Sequence, residues 1–398
     1  MSFLFSSLVV LAVLGALLVY GTQCALWLLR RLGKFVAKKQ YTIGVLSVVL
    51  CLVLCGVYAW LFFAALARQP NDDESWVMAS AGFERTFAVR SDGSLWTWGS
   101  NRGTRLGDGT RFGWNRPIKI MEDVSYVYAS GSSAMVIKTD DSLWRLGSDG
   151  KDQKILENVR SASSHFAITN DGGLWAWGNK HRIGLVVDDP ENRVQDTPIK
   201  IMDDVAAISA GDWRTMIIRT DDSLWALSSS TAHMDGTTNR LAIPEWIMDD
   251  VAYVSTRSSQ TVVIKTDGSL WSWSDAIGRR EPVKIMDDVA YVLARFNATM
   301  AIKKDGSLWA WGRSWSGHLG IGTSGRDAGT STPVMILENV VAVSMSDIGP
   351  RRTADRVHTV AIRGDGSLWA WGNNHRGQLG TGTWISRSSP VRISPATW

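Results

Sequence analysis

One nine-residue phrase recurs seven times along this chain and limits its fold more than any other feature. The last copy is Gly364-Asp365-Gly366-Ser367-Leu368-Trp369-Ala370-Trp371-Gly372. Six near-copies precede it: SDGSLWTWG from Ser91, TDDSLWRLG from Thr139, NDGGLWAWG from Asn170, TDDSLWALS from Thr220, TDGSLWSWS from Thr266 and KDGSLWAWG from Lys304. Their leucines, from Leu95 to Leu368, are 31 to 60 residues apart. A period of that size marks an array of identical supersecondary units.

Each phrase has a direct physical reading. Asp-Gly or Asp-Asp ahead of alternating side chains marks a tight hairpin turn entering a strand. In the last copy Leu368 and Ala370 point to one face, and Trp369 and Trp371 to the other. Neither face is polar, so the strand must be covered on both sides.

Each unit carries three more strand-like segments. A short small-residue stretch comes first, as in Ile208-Ser209-Ala210-Gly211, and a β-branched one second, as in Thr261-Val262-Val263-Ile264-Lys265. The fourth opens on proline, as in Pro117–Ile120, Pro198–Ile201, Pro282–Ile285, Pro333–Ile336 and Pro390–Ile393. Proline belongs at a sheet edge, so this strand is outermost. Acidic links such as Met202-Asp203-Asp204-Val205 join the units. Four strands per unit and seven units predict an all-β, seven-bladed β-propeller over residues 76–394.

The first 67 residues differ. Residues 3–29 and 43–67 are apolar and free of charge, each long enough to span a bilayer. Between them, residues 30–42 carry Arg30, Arg31, Lys34, Lys38 and Lys39. Basic loops stay cytoplasmic, so a two-helix transmembrane hairpin with the propeller on the extracytoplasmic side is expected. Residues 68–75 form a polar linker. Apart from those five basic residues, the chain's 42 basic and 38 acidic residues leave 37 against 38. A near-neutral repeat domain argues against nucleic-acid binding.

The residues also bound the chemistry. All three cysteines (Cys24, Cys51 and Cys55) precede the repeats, so no disulfide framework or thiolate metal site is expected in the propeller. The six histidines lack metal-ligand spacing. Aspartates that recur at every turn are architectural, and Gly377–Gly382 lacks the Lys-Ser/Thr ending of a phosphate loop. No cofactor and no catalytic residue is expected.

Twelve of the 21 tryptophans lie in the Leu-Trp strands and are core. Trp114, Trp213, Trp315 and Trp384 fall in loops, where arginines also gather. Trp and Arg dominate binding hot spots. In a four-strand meander the 1–2 and 3–4 loops share one face, while the 2–3 turns and links share the other. The candidate partner-binding set on the first face is Trp114, Trp213, Arg214, Arg295, Phe296, Trp315, Arg351, Arg352 and Trp384. The second face is acidic.

The phrase Trp371-Gly372-Asn373-Asn374-His375-Arg376-Gly377-Gln378-Leu379-Gly380-Thr381-Gly382-Thr383, with His358-Thr359 upstream, resembles the signature of the regulator of chromosome condensation repeat family. The resemblance covers roughly residues 76–394 and is strongest in unit seven. It survives as Gly317-His318-Leu319-Gly320 in unit six and weakly as Thr104-Arg105-Leu106-Gly107 in unit one; unit two lacks it. It implies a propeller that binds proteins through loops, and a structural role for His358. Guanine nucleotide exchange, known for one such propeller, is a remote alternative that a membrane hairpin and outward face disfavour. The expected function is a membrane-anchored, non-enzymatic protein-interaction module with an unknown protein partner outside the membrane. A carbohydrate or cell-wall binder using loop tryptophans is the alternative.

Overall fold

The computed structural model describes residues 75–101, 113–130, 133–147, 151–180, 183, 194–211, 214–228, 244–257, 260–274, 281–295, 297–346 and 356–393. These form seven four-stranded antiparallel sheets, each with its strands in sequence order. Blade one runs from Trp76 to Met121, two from Val124 to Leu156 and three from Val159 to Met202. Blade four covers Val205 to Met248, five Val251 to Met286, six Val289 to Leu337 and seven Val340 to Arg392. The expected propeller is therefore present. The expected membrane hairpin lies outside the described residues, among which no helix is long and apolar enough to cross a membrane.

The repeated phrase builds the turn between the second and third strands. In blade one Gly93 N–H donates to Arg90 O and Arg90 N–H to Ser94 O, each at 3.0 Å, the pattern of a three-residue hairpin loop. That loop needs a left-handed residue. Gly93 supplies it at φ 78°, whereas Asp141 and Asp222 take the same position at 61° in blades two and four. Asp92 Oδ1 accepts the Ser94 N–H at 2.8 Å and its hydroxyl at 2.6 Å, and Ser94 Oγ accepts the Trp96 indole N–H at 2.8 Å. The same Asp-Ser-Trp relay recurs in blades two, four, five, six and seven. Blade three has glycine in place of the serine, and there the Thr169 hydroxyl donates to Asp171 at 2.5 Å.

Burial occurs between blades. Seven apolar clusters are found, one per neighbouring pair. Each blade is thus covered on both faces, as the Leu-Trp alternation requires. Every junction repeats one hydrogen bond, from the first residue of a blade to the 2–3 turn of the blade before. Examples are Val124 N to Gly93 O at 2.9 Å and Val289 N to Gly268 O at 2.9 Å. This bond puts the links and the 2–3 turns on one face of the ring.

The ring closes by the same bond, Trp76 N to Gly366 O at 3.0 Å, and no strand is exchanged between blades. Trp76 stands where the other blades have valine. It packs edge-on against Trp96 and Trp98, with ring centroids 6.2 Å apart in both pairs. The seam core joins Trp76, Ala88 and Trp98 of blade one to Val360, Leu368 and Leu379 of blade seven.

Candidate functional site

The Gly-Gln-Leu-Gly segment of blade seven is a clamp on blade one. Its scaffold is made of buried amides. Asn373 Oδ1 accepts from Gln378 Nε2 at 2.8 Å and Asn374 Oδ1 from Leu379 N at 2.9 Å, while Asn374 Nδ2 donates to Thr383 O and Ile385 O. Gln378 O then accepts both the Trp98 indole N–H and the Thr86 hydroxyl at 2.8 Å. A Cβ at Gly377 would lie 2.6 Å from Asn115 Cα, so only glycine allows the loop to seat there. Gly382 and Asn115 complete the contact, with Gly382 N donating to Asn115 O at 2.8 Å and Asn115 Nδ2 to Gly382 O at 2.9 Å. In blade six, His318 O accepts from Trp371 Nε1 and Thr359 Oγ1, each at 2.8 Å, in the same way.

Two ionisable groups tighten the seam. Glu84 is buried in the 1–2 turn of blade one and accepts from Arg356 Nη1 at 2.6 Å, with Arg376 Nε 3.9 Å away. His358 is fully buried, and its Nε2 is 2.8 Å from the Thr86 hydroxyl. Since that hydroxyl donates to Gln378 O, His358 Nε2 carries the hydrogen. Desolvation lowers the His358 pKa to about 3 and that of His318 to about 4. Both are neutral structural groups, in keeping with the role the resemblance implies for His358.

The candidate residues separate in space. Trp114, expected in a loop, opens the outer strand of blade one, and the Asn115–Gly382 bonds bring that strand end against the blade seven segment that carries Trp384. Trp114 is 39% exposed, Trp384 50% and the neighbouring Ile385 59%. Arg116 and Arg387, on the outer strands of blades one and seven, are exposed as well. Trp315 is half-buried in the next clamp, with the Arg313 guanidinium 5.7 Å from its ring. Arg214 opens the second strand of blade four, away from this junction. Arg295 ends the first strand of blade six and lines the axial channel. Trp213, Phe296, Arg351 and Arg352 lie outside the described residues.

Trp246, 51% exposed on the outer strand of blade four, was not among the loop candidates. The available signal was its position: it pairs with Trp225 where blades one, two, three and five place a lysine, as in Lys119 opposite Trp96.

The opposite face is acidic, and four of its links carry an ion pair. Lys119–Glu122, Lys154–Glu157, Lys200–Asp203 and Lys284–Asp287 are i,i+3 ion pairs at 2.5–2.8 Å. The turn aspartates are held below the usual carboxylate range, chiefly by the serine hydroxyls in Asp140, Asp221, Asp267, Asp305 and Asp365. Such carboxylates are poor proton acceptors at neutral pH. No group of three potential metal ligands occurs among the described residues.

Comparison with known proteins agrees with the repeat reading. The regulator of chromosome condensation (RCC1) repeat profile matches residues 92–137 and 365–397. The chain is 29% identical over 148 residues to the RCC1 domain-containing protein RUG3, mitochondrial, of Arabidopsis thaliana. That match covers 31% of this chain and 33% of the relative, about a third of its length. The propeller is similar to yeast RCC1 (Prp20), solved bound to Kap60, with 16% identity, 81% of this chain and 76% of that chain covered, and a TM-score of 0.49. Human WBSCR16 has 16% identity, with 81% and 82% covered and a TM-score of 0.46. Residues 92–137 and 365–397 thus carry repeats of the RCC1 type.

Proposed function

We propose that this RCC1-repeat chain is a membrane-anchored, extracytoplasmic protein-interaction module that binds its partner through the clamp face at the junction of blades seven and one. The observation that carries this reading is the pair Trp114 and Trp384. Both indoles are substantially exposed, as are Ile385 and, on the outer strands of the same two blades, Arg116 and Arg387. Exposed large aromatics grouped on a rigid scaffold with arginine have the composition of an interface centre. The buried Asn373-Asn374-Gln378 network fixes the loop that carries Trp384, so little ordering cost attends binding.

The test is capture from intact cells by proximity labelling. Trp114→Ala combined with Trp384→Ala should reduce labelling of the partner roughly tenfold or more, the weight of one hot spot. The melting temperature should stay within a few degrees, because neither side chain belongs to an apolar cluster. Asp203→Asn with Asp204→Asn, on the other face, should leave capture unchanged. Loss with the aspartate pair alone would move the binding site to the acidic face.

The same exposed indoles suit stacking on sugars, the second reading. A saturable signal on a glycan array that disappears in the tryptophan double variant would favour it over a protein partner.

The anchoring part rests on the two apolar runs and the basic segment between them. Protease added to intact cells, or to spheroplasts where an outer membrane is present, should cut near the exposed Gly325. Cleavage only after lysis would reverse the orientation.

A further inference from the structure

The seven first strands enclose an axial cavity of about 380 Å³. That lies within the range of small-molecule sites, roughly 300–1,000 Å³. Its wall departs from sevenfold symmetry. Blades five and six contribute Tyr253, Tyr291 and Arg295, whereas blades three and four contribute Ser161, Ala207 and Ser209. Blade two adds Tyr126 and Tyr128, so the bulky polar groups flank a stretch of wall on blades three and four that is lined by small residues.

The chemistry of the wall is one-sided. Among the described residues Arg295 is the only charged one lining the cavity, and none of the lining residues is a carboxylate. Its Nη1 donates to Ala294 O at 3.1 Å, which uses one of five guanidinium hydrogens. The Tyr253 and Tyr291 rings are 5.0 Å apart. Each phenol carries one hydroxyl hydrogen. Burial raises the Tyr253 phenol well above its ordinary range, so it remains a donor at any physiological pH. Four wall serines, Ser80, Ser209, Ser255 and Ser344, accept the backbone N–H of the next blade at 2.9–3.0 Å. Each keeps its own hydroxyl hydrogen. A half-enclosed wall with hydrogen-bond donors, one cation and no anion favours a negatively charged, oxygen-rich occupant.

We propose that the axial channel is a binding chamber for a small oxyanion of the carboxylate or phosphate class, held by Arg295 together with the hydroxyls of Tyr253, Tyr291 and the wall serines. The chamber is distinct from the clamp-face patch and does not depend on it.

Calorimetric titration of the full-length chain with citrate and, separately, with inorganic phosphate tests this. One-site saturation by either probe is expected, and the probe that saturates names the class. Arg295→Gln should weaken it roughly tenfold or more, the scale of a lost charge-assisted bond. Ala207→Leu keeps the charge and fills the open side, so it should weaken binding comparably even if Arg295→Gln fails to fold. Arg392→Gln, exposed on an outer strand, should bind like the parent. The proposal is overturned if neither probe saturates at millimolar concentration, or if the Arg295 and Ala207 variants both bind as the parent does.

Discussion

Trp98, Trp177 and Trp371 occupy equivalent positions on the third strands of blades one, three and seven, and all three are fully buried. Trp98 and Trp371 give their indole hydrogens to Gln378 O and His318 O, carbonyls supplied by the clamp of the preceding blade. Trp177 Nε1 has no acceptor among the described residues. The preceding blade is blade two, whose third and fourth strands are joined only by residues 146–152, whereas residues 373–386 do so in blade seven. A buried donor without a partner costs about 1–3 kcal/mol, and a made hydrogen bond contributes about 1 kcal/mol. Trp177→Phe should therefore be at least ~1 kcal/mol less destabilising than Trp98→Phe or Trp371→Phe, as measured by urea midpoints. Equal losses in all three would mean that Trp177 has an acceptor after all. The absence of the Gly-x-Leu-Gly phrase from unit two is visible in the sequence. Its effect on Trp177 is not, because the loop that would serve this indole belongs to another blade.

At the scale of the element, the hairpins were the most legible part. An Asp followed by Gly or Asp, then Ser-Leu-Trp, fixes the turn, the relay from Asp92 through Ser94 to Trp96, and the strand that follows. The period carried these assignments through every blade. Proline marked the outer strand in five blades but not its start: in blades one, three, six and seven the strand begins before the proline. The clamps were only half legible: the glycines of Gly377–Gly382 mark a turn, but nothing local says that Gln378 O will meet Trp98 in blade one, 280 residues earlier. The loop candidates were limited for the same reason. Composition singled out Trp114 and Trp384 separately, and only ring closure brings the segments that carry them together. Arg295 looked like a loop residue by position, yet the first strand extends through it and brings it to the axis. Trp246 illustrates the converse, a strand residue exposed because an outer strand has solvent on one edge.

For the whole molecule, stability resides in seven junctions rather than seven blades. Val262, Ile264 and Leu270 of blade five pack on Val289 and Val292 of blade six, and Val251, Val254 and Val263 face Met216 and Leu224 of blade four. Removing residues 251–288 would require blade four to meet blade six and the ring to close with one member fewer. Neighbour-coupled repeats lose cooperativity when a junction is left bare. The deletion should give aggregated protein, or one that melts broadly by circular dichroism. A soluble six-blade product with one sharp transition would show that closure tolerates a change in blade number.

The seam has a further consequence. Trp76 N–Gly366 O is the same bond that joins the other six pairs, and each blade is a contiguous piece of chain. No junction of the ring is therefore topologically first. A circularly permuted chain, opened at Asp249–Asp250 and with Ile393 connected back to Ser75, would enclose the same seven cores in the same cyclic order. The blade from which the rest of the polypeptide departs is thus set by the order of the gene, and the fold itself is indifferent to it.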